Sequence, residues 1–242
     1  MTEILLCSDL HTNFHRDGGK STIKSLYEKD VDIAVVAGDL SILVSNLLQD
    51  NIKMFCDKYP EVVYVSGNHE YYHSSFPKVE EVLADLQSSL SNFTWLNNDR
   101  VEVAGHMFIG ATLWFPDSVA AQINKRHLND YRYITDFEPE VYRRNEETVE
   151  FFENNMQQGD IVVTHHMPSH QCIDLKFKSS SLNCFFACRL DALIANKKPA
   201  VWMYGHTHFG DSFTYKSTQL AANPMGYPGE NPFFHDSFTI KV

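Results

Sequence analysis

Five short apolar, β-branched runs punctuate the chain: Ile4 to Cys7, Ile33 to Ala37, Val62 to Val65, Ile161 to Thr164 and Ala200 to Tyr204. Continuous apolarity without alternation marks strands buried on both faces, as in a sheet covered by helices. Between these runs the period lengthens. From Pro77 to Leu90, the residues Val79, Val82, Leu83, Leu86 and Leu90 recur at helical steps, and Pro77 suits a first turn. Ser45 to Lys58, Glu138 to Gln158 and Cys184 to Lys197 also read as helices, so the first half runs β-α-β-α. Towards the end, Phe213 to Tyr215, Gln219 to Ala222 and Phe238 to Val242 are strand-like runs separated by turn formers, the pattern of an antiparallel meander. An α/β fold of two mixed sheets stacked face to face, with helices outside, satisfies this pattern. No internal repeat, low-complexity tract or linker interrupts it, and a single domain over residues 1–242 is expected.

Each of the five runs is followed directly by residues able to ligate a metal: Asp9-Leu10-His11, Gly38-Asp39, Gly67-Asn68-His69-Glu70, His165-His166 and Gly205-His206-Thr207-His208. Six of the twelve histidines fall in these blocks. Strand ends are where open α/β sheets bind ligands. One His-x-His carries little weight, but five blocks at successive strand ends point to a common site. Carboxylate, imidazole and amide donors without thiolate suit manganese, iron or zinc in a reactive centre better than a structural zinc. Adjacent strand residues point oppositely, so the pattern alone leaves open which of His165 and His166 faces the site.

Charge and cysteine usage narrow the class. With 20 basic and 31 acidic residues the formal charge is −11, which opposes non-specific binding to nucleic acid or membranes. The five cysteines are odd in number and form no C-x-x-C, so neither a disulfide framework nor a zinc ribbon is indicated; Cys184 and Cys188 are expected to pack. The first residues show no basic, apolar leader and no run approaches the length of a membrane span, from which a cytoplasmic setting is expected. Gly19-Lys20-Ser21 imitates the end of a phosphate-binding loop, but Phe14 stands where its first glycine belongs, and a helix start is the better reading.

The ordered blocks D-x-H, GD, GNHE, HH and GHTH resemble the calcineurin-like metallophosphoesterase superfamily, with no ligand position substituted. The stretches Gly110 to Trp114, Asn129 to Tyr133, Thr164 to Ser169 and Asn223 to Pro232 are similar to a bacterial and phage branch of small stand-alone phosphoesterases. The resemblance implies a four-layer αββα sandwich and a dinuclear metal centre. Asp9, His11 and His208 would hold one ion, Asn68, His165 and His206 the other, and Asp39 would bridge them. Manganese is the first choice, with iron, zinc or nickel as alternatives. The implied activity is hydrolysis of a phosphate monoester or diester by a metal-bound hydroxide, on a small soluble substrate, with nucleotide-like esters among the candidates. His69 would stabilise the phosphoryl oxygen or protonate the leaving group, while Arg132 and His166 are candidates to face substrate. Among histidines outside the blocks, His73 and His127 lie nearest the motif loops. Relatives carry an arginine where this chain has Met225, which points towards a less charged or differently shaped substrate. Two other readings remain: a nuclease of the same superfamily, and a non-catalytic scaffold with a vestigial metal site.

Overall fold

The computed structural model describes residues 1–242. All five apolar runs are strands, and they are divided between two mixed sheets. In the first sheet β1 (Glu3–Cys7), β2 (Ile33–Ala37), β3 (Glu61–Val65) and β5 (Phe93–Trp95) run parallel, and β13 (Thr239–Lys241) closes the edge antiparallel to β1. In the second, β7 (His106–Ala111), β9 (Ile161–Thr164), β10 (Val201–Tyr204) and β12 (Thr218–Ala222) run parallel. The antiparallel strands β6 (Asp99–Val103) and β11 (Asp211–Tyr215) form its edges. Two-residue strands β4 (Ser74–Ser75) and β8 (Ile134–Thr135) pair with each other apart from both sheets.

Because side chains alternate across a strand, each central strand feeds two cores. Ile4, Leu6, Ile33, Val35 and Val63 of the first sheet meet Phe108, Ile161, Val163, Val201 and Met203 of the second in one buried layer. The opposite face of the first sheet, with Leu5, Val36 and Tyr64, packs on α1 (Lys20–Ser25), α2 (Leu47–Lys58) and α3 (Phe76–Ser89) through Ile23, Phe55 and Val79. The opposite face of the second, with Ile109, Val162 and Trp202, packs on α6 (Phe137–Asn155) and α7 (Asp191–Lys197) through Phe152 and Ile194. Helix, sheet, sheet and helix are therefore the four layers expected. Two short helices, α4 (Val119–Asn124) and α5 (Asp130–Tyr133), lie in the loop after β7.

Three expectations are corrected. The segment Cys184 to Lys197 is not one helix: a short 3-10 helix ends at Phe185 and α7 begins at Asp191. Between them the backbone bonds to another loop instead of to itself, with Cys188 N–H donating to Met167 O at 2.9 Å and Leu190 N–H to Pro168 O at 2.8 Å. The closing runs are not a meander either, since only β11 and β12 form an antiparallel hairpin and β13 joins the other sheet. Asn223 diverts the chain by donating from Nδ2 to Leu6 O and to His235 O, both at 2.8 Å. Lastly, β5, β6 and β7 have no counterpart among the expected elements: β5 has only three residues, β6 is largely polar, and β7 opens on the half-exposed His106 and Met107.

Phe108 is fully buried in the layer between the sheets. Phe108→Ala is expected to destabilise the protein by about 3–5 kcal/mol, from lost burial and the cavity left behind. A urea titration monitored by tryptophan fluorescence reads this as a lower midpoint with little change in slope.

Candidate metal centre

The loops leaving β1, β2, β3, β9 and β10 converge, so residues from both sheets meet at one edge of the sandwich. The backbone there is held in conformations that side chains avoid. Asp9, His11, Asp39, His206 and His208 have φ of 53°, 43°, 54°, 64° and 48°. Non-glycine residues rarely enter this region, and each such residue costs on the order of 1–3 kcal/mol. Close approach does the rest. A Cβ on Gly67 would stand 2.0 Å from Asp39 Oδ1, and one on Gly38 2.4 Å from His165 Nδ1.

Asp39 sits at the centre. Its Oδ1 accepts the His69 backbone N–H at 2.8 Å, which leaves Oδ2 facing His165 Nε2 at 3.4 Å, His11 Nε2 at 3.8 Å and His69 Nε2 at 4.0 Å. On one side of it His11 Nε2 is 3.0 Å from His208 Nε2, which is 3.5 Å from Asp9 Oδ1. On the other side His165 Nε2 is 3.1 Å from His206 Nδ1 and 3.2 Å from Asn68 Oδ1. Three groups of possible ligand atoms result: Asp9, His11 and His208; His11, Asp39 and His69; and Asp39, His165 and His206.

Electrostatics favour cations here. Asp9 and Asp39 are buried, and imidazoles are the only basic side chains within 4.0 Å of them. Burial would raise the Asp39 carboxyl, but His165, His69 and His11 outweigh it and hold the group well below the usual carboxylate range. Burial likewise opposes a charged His165, yet Asp39 raises that imidazole to about 10. Nitrogens of two imidazole pairs meet about a hydrogen bond apart beside buried carboxylates, with oxygen and nitrogen donors throughout. This donor set fits two divalent ions sharing Asp39.

Neighbouring groups aim the donors. His165 Nδ1 lies 2.9 Å from Ala37 O, which turns Nε2 inward, and His208 Nδ1 lies 2.8 Å from Glu230 Oε2. Such contacts fix tautomer and ring orientation. Buried Asp130 accepts from Asn68 Nδ2 at 2.9 Å and from Tyr72 O–H at 2.7 Å, so the Asn68 amide oxygen points at the cluster. Buried Glu70 ties two loops together. It accepts N–H bonds from Asp39 (3.1 Å), Leu40 (2.7 Å) and Gly67 (2.7 Å), and the Tyr64 O–H (2.8 Å). Tyr227 stacks on His11 with ring centres 4.6 Å apart, and its O–H lies 3.4 Å from His69 Nε2.

All seven residues expected as ligands therefore come together, with His69 beside them. His165, not His166, faces Asp39. His166 is buried with Nδ1 3.1 Å from Thr112 O and its ring against Trp114, so it does not face the cleft. Arg132 is not brought to the site: it is exposed and donates to Arg126 O at 2.9 Å. Met225 packs against the helical core of the first sheet, while His127 borders the cleft in front of the cluster and His73 does not. The roles of Asp130, Tyr227, Glu230 and Glu70 escaped the sequence reading. Each lies inside a stretch that carried the resemblance, one to five residues from a position to which a role was given or discussed.

Residues 2–210 match the family described as calcineurin-like phosphoesterase, and the chain belongs to that family of metal-dependent phosphoester hydrolases. An uncharacterized protein of Acanthamoeba polyphaga mimivirus is 28% identical over 271 residues, covering 97% of this chain and 95% of its own. An uncharacterized metallophosphoesterase of Helicobacter pylori is 31% identical over 121 residues, which span 47% of this chain and 30% of its own. Among solved structures, phosphopantetheinyl hydrolase from Mycobacterium tuberculosis has a TM-score of 0.77 at 18% identity, covering 96% of this chain and 94% of its own. A dimetal phosphatase from Danio rerio has a TM-score of 0.51 at 13% identity, covering 91% and 86%. These structural likenesses are of fold.

Glu70→Gln keeps the shape but sets an amide N–H₂ against several N–H donors, leaving buried groups unsatisfied at about 1–3 kcal/mol. A lower melting temperature together with weaker manganese binding by calorimetry is expected. A loss of stability with unchanged metal affinity would show that Glu70 does not position the ligands.

Proposed function

We propose that the protein hydrolyses a phosphate monoester or diester at a dinuclear centre bridged by Asp39, with Asp9, His11 and His208 on one ion and Asn68, His165 and His206 on the other. The observation that supports it most is Asp39 Oδ2 placed between two imidazole clusters, each with a further oxygen donor. Two divalent cations, when bound, supply easier deprotonation of water at neutral pH and offset phosphoryl charge. Manganese suits the mixed oxygen and nitrogen donors.

The chain's own groups do the remaining work. His69 Nε2 and Tyr227 O–H stand at the cleft, where either can donate to a phosphoryl or leaving oxygen. Burial lowers the His69 pKa, and the Asp39 carboxylate opposes that shift. Buried Asp130, exposed Glu230 and Ala37 O hold Asn68, His208 and His165 in register so that little reorganisation accompanies reaction. The nuclease reading is less well supported, since Lys176 is the one lysine or arginine on the cleft wall.

The reading treats residues 1–242 as one catalytic domain. Its support is that β13 completes the first sheet and that both sheets contribute to the cluster. No helix is long and apolar enough to cross a membrane, and all five cysteines are unpaired, which fits a reducing compartment such as the cytoplasm.

Asp39→Ala and His206→Ala are expected to lose both bound metal and hydrolysis of nitrophenyl phosphate esters. His69→Ala should keep the metal and turn over on the order of 10²–10⁴-fold more slowly, the usual contribution of a general acid. Metal content by elemental analysis beside rate on the three variants checks this, and active, metal-free Asp39→Ala protein would end the proposal.

A further inference from the structure

The cluster opens into a cleft of about 470 Å³. One end is polar, with Asp39, Asn68, His69 and His208. The other is walled by Leu128, Met167, Ile173, Phe177, Phe186 and Phe233. The two ends are continuous: Phe186 stacks on His206 with ring centres 4.5 Å apart at 28°. Apolar wall thus begins against a ligand of the proposed centre. It is also exposed, with Phe233 at 62% and Phe177 at 44% accessibility, and Phe209 lies edge-on to Phe233 at 6.4 Å. Surfaces seldom leave adjacent aromatic rings to water without a partner for them.

The charges of this wall are as telling. Its one lysine, Lys176, has its ammonium over the Phe177 ring at 4.7 Å and the Phe209 ring at 5.4 Å, and Asp174 and Glu230 line the same cleft. No arginine fork is present to receive a second phosphate, the group that guanidinium matches best. Part of the wall, including Phe177, lies on short 3-10 helices, Leu175–Phe177 and Ser181–Phe185, capped by Asp174 and Ser180. Those caps turn the Asp174 and Ser180 side chains to backbone N–H groups of the loop, while Asn129, Asn183 and Asn231 add uncharged polar positions among the apolar ones.

We propose that this apolar arm receives the leaving group, so that the enzyme selects phosphoesters of an extended apolar or aromatic alcohol carrying no second phosphate. The inference rests on the dinuclear phosphoesterase reading above, which fixes the phosphoryl end. The arm supplies the selectivity. The alcohol substituent of a phosphoryl group at Asp39 can run along Phe186, which stacks on His206, and burial of each methylene in the arm is favourable.

The test uses non-hydrolysable probes, with hydrolysis measured separately. Manganese-loaded full-length protein is titrated by calorimetry with ethylphosphonate, octylphosphonate and adenosine diphosphate. Octylphosphonate is expected to bind at least about tenfold tighter than ethylphosphonate, a modest share of what the extra methylenes can contribute, and tighter than adenosine diphosphate. In the double variant Phe177→Ala, Phe233→Ala the octyl-to-ethyl ratio should fall towards one. Equal affinity for the two phosphonates, a preference for adenosine diphosphate, or an unchanged ratio in the double variant would overturn the inference. Hydrolysis of ethyl and octyl phosphate, and of their methyl diesters, is followed in parallel. Preferential binding without any hydrolysis would sink the phosphoesterase reading and leave the arm's selectivity standing, whereas hydrolysis without chain-length preference would do the reverse.

Discussion

A carboxylate with no lysine or arginine beside it, buried where two sheets meet, is the constraint around which this molecule is organised. Asp39 has a positive φ, gives one oxygen to the His69 amide and turns the other towards three imidazoles. An isolated buried charge is expensive, and a buried pair compensates only when its geometry is good and its remaining hydrogen bonds are made. The surroundings meet both conditions through backbone amides and aimed histidines. The fold supplies the rigidity, because five strands end within reach of one another and leave little freedom to the loops between.

That geometry also explains where strain is stored. Positive φ at five of the seven proposed ligands costs stability, and the wide apolar layers on both faces of each sheet offset it. Glu70 is the link between these scales. Its carboxylate gathers donors from the loops after β2 and β3, so ligand placement and loop folding are one event. Burial and the nearby Asp39 charge push Glu70 up to about 7, while the Tyr64 and Gly67 donors hold it down. A group so placed feels any disturbance of either loop.

The cleft divides labour differently from the cluster. Near Asp39 the lining is polar and fixed by hydrogen bonds; along Phe186, Phe177 and Phe233 it is apolar and partly exposed. The first part is common to chemistry on any phosphoester. The second can differ between proteins that share the cluster, because it is built from loops outside the strands.

The strands and ligand blocks were legible because each is local: an apolar run sets a strand, and polar residues directly after it must sit at its end. Helix α3 followed for the same reason, from Val79, Leu83 and Leu86 on one face. What the chain could not reveal by itself depends on partners distant in sequence. Residues 186–190 leave the helical path because Met167 and Pro168 offer their carbonyls, and β13 crosses to β1 because Asn223 bonds to Leu6. The facing of His165, not His166, towards Asp39, the burial of Asp130 behind Asn68 and the exposure of Arg132 depend on contacts of the same kind. Sequence determined which donor types lie at which strand ends; tertiary structure alone decided which atoms face each other, since hydrogen bonds between loops from different sheets have no signature in the order of residues.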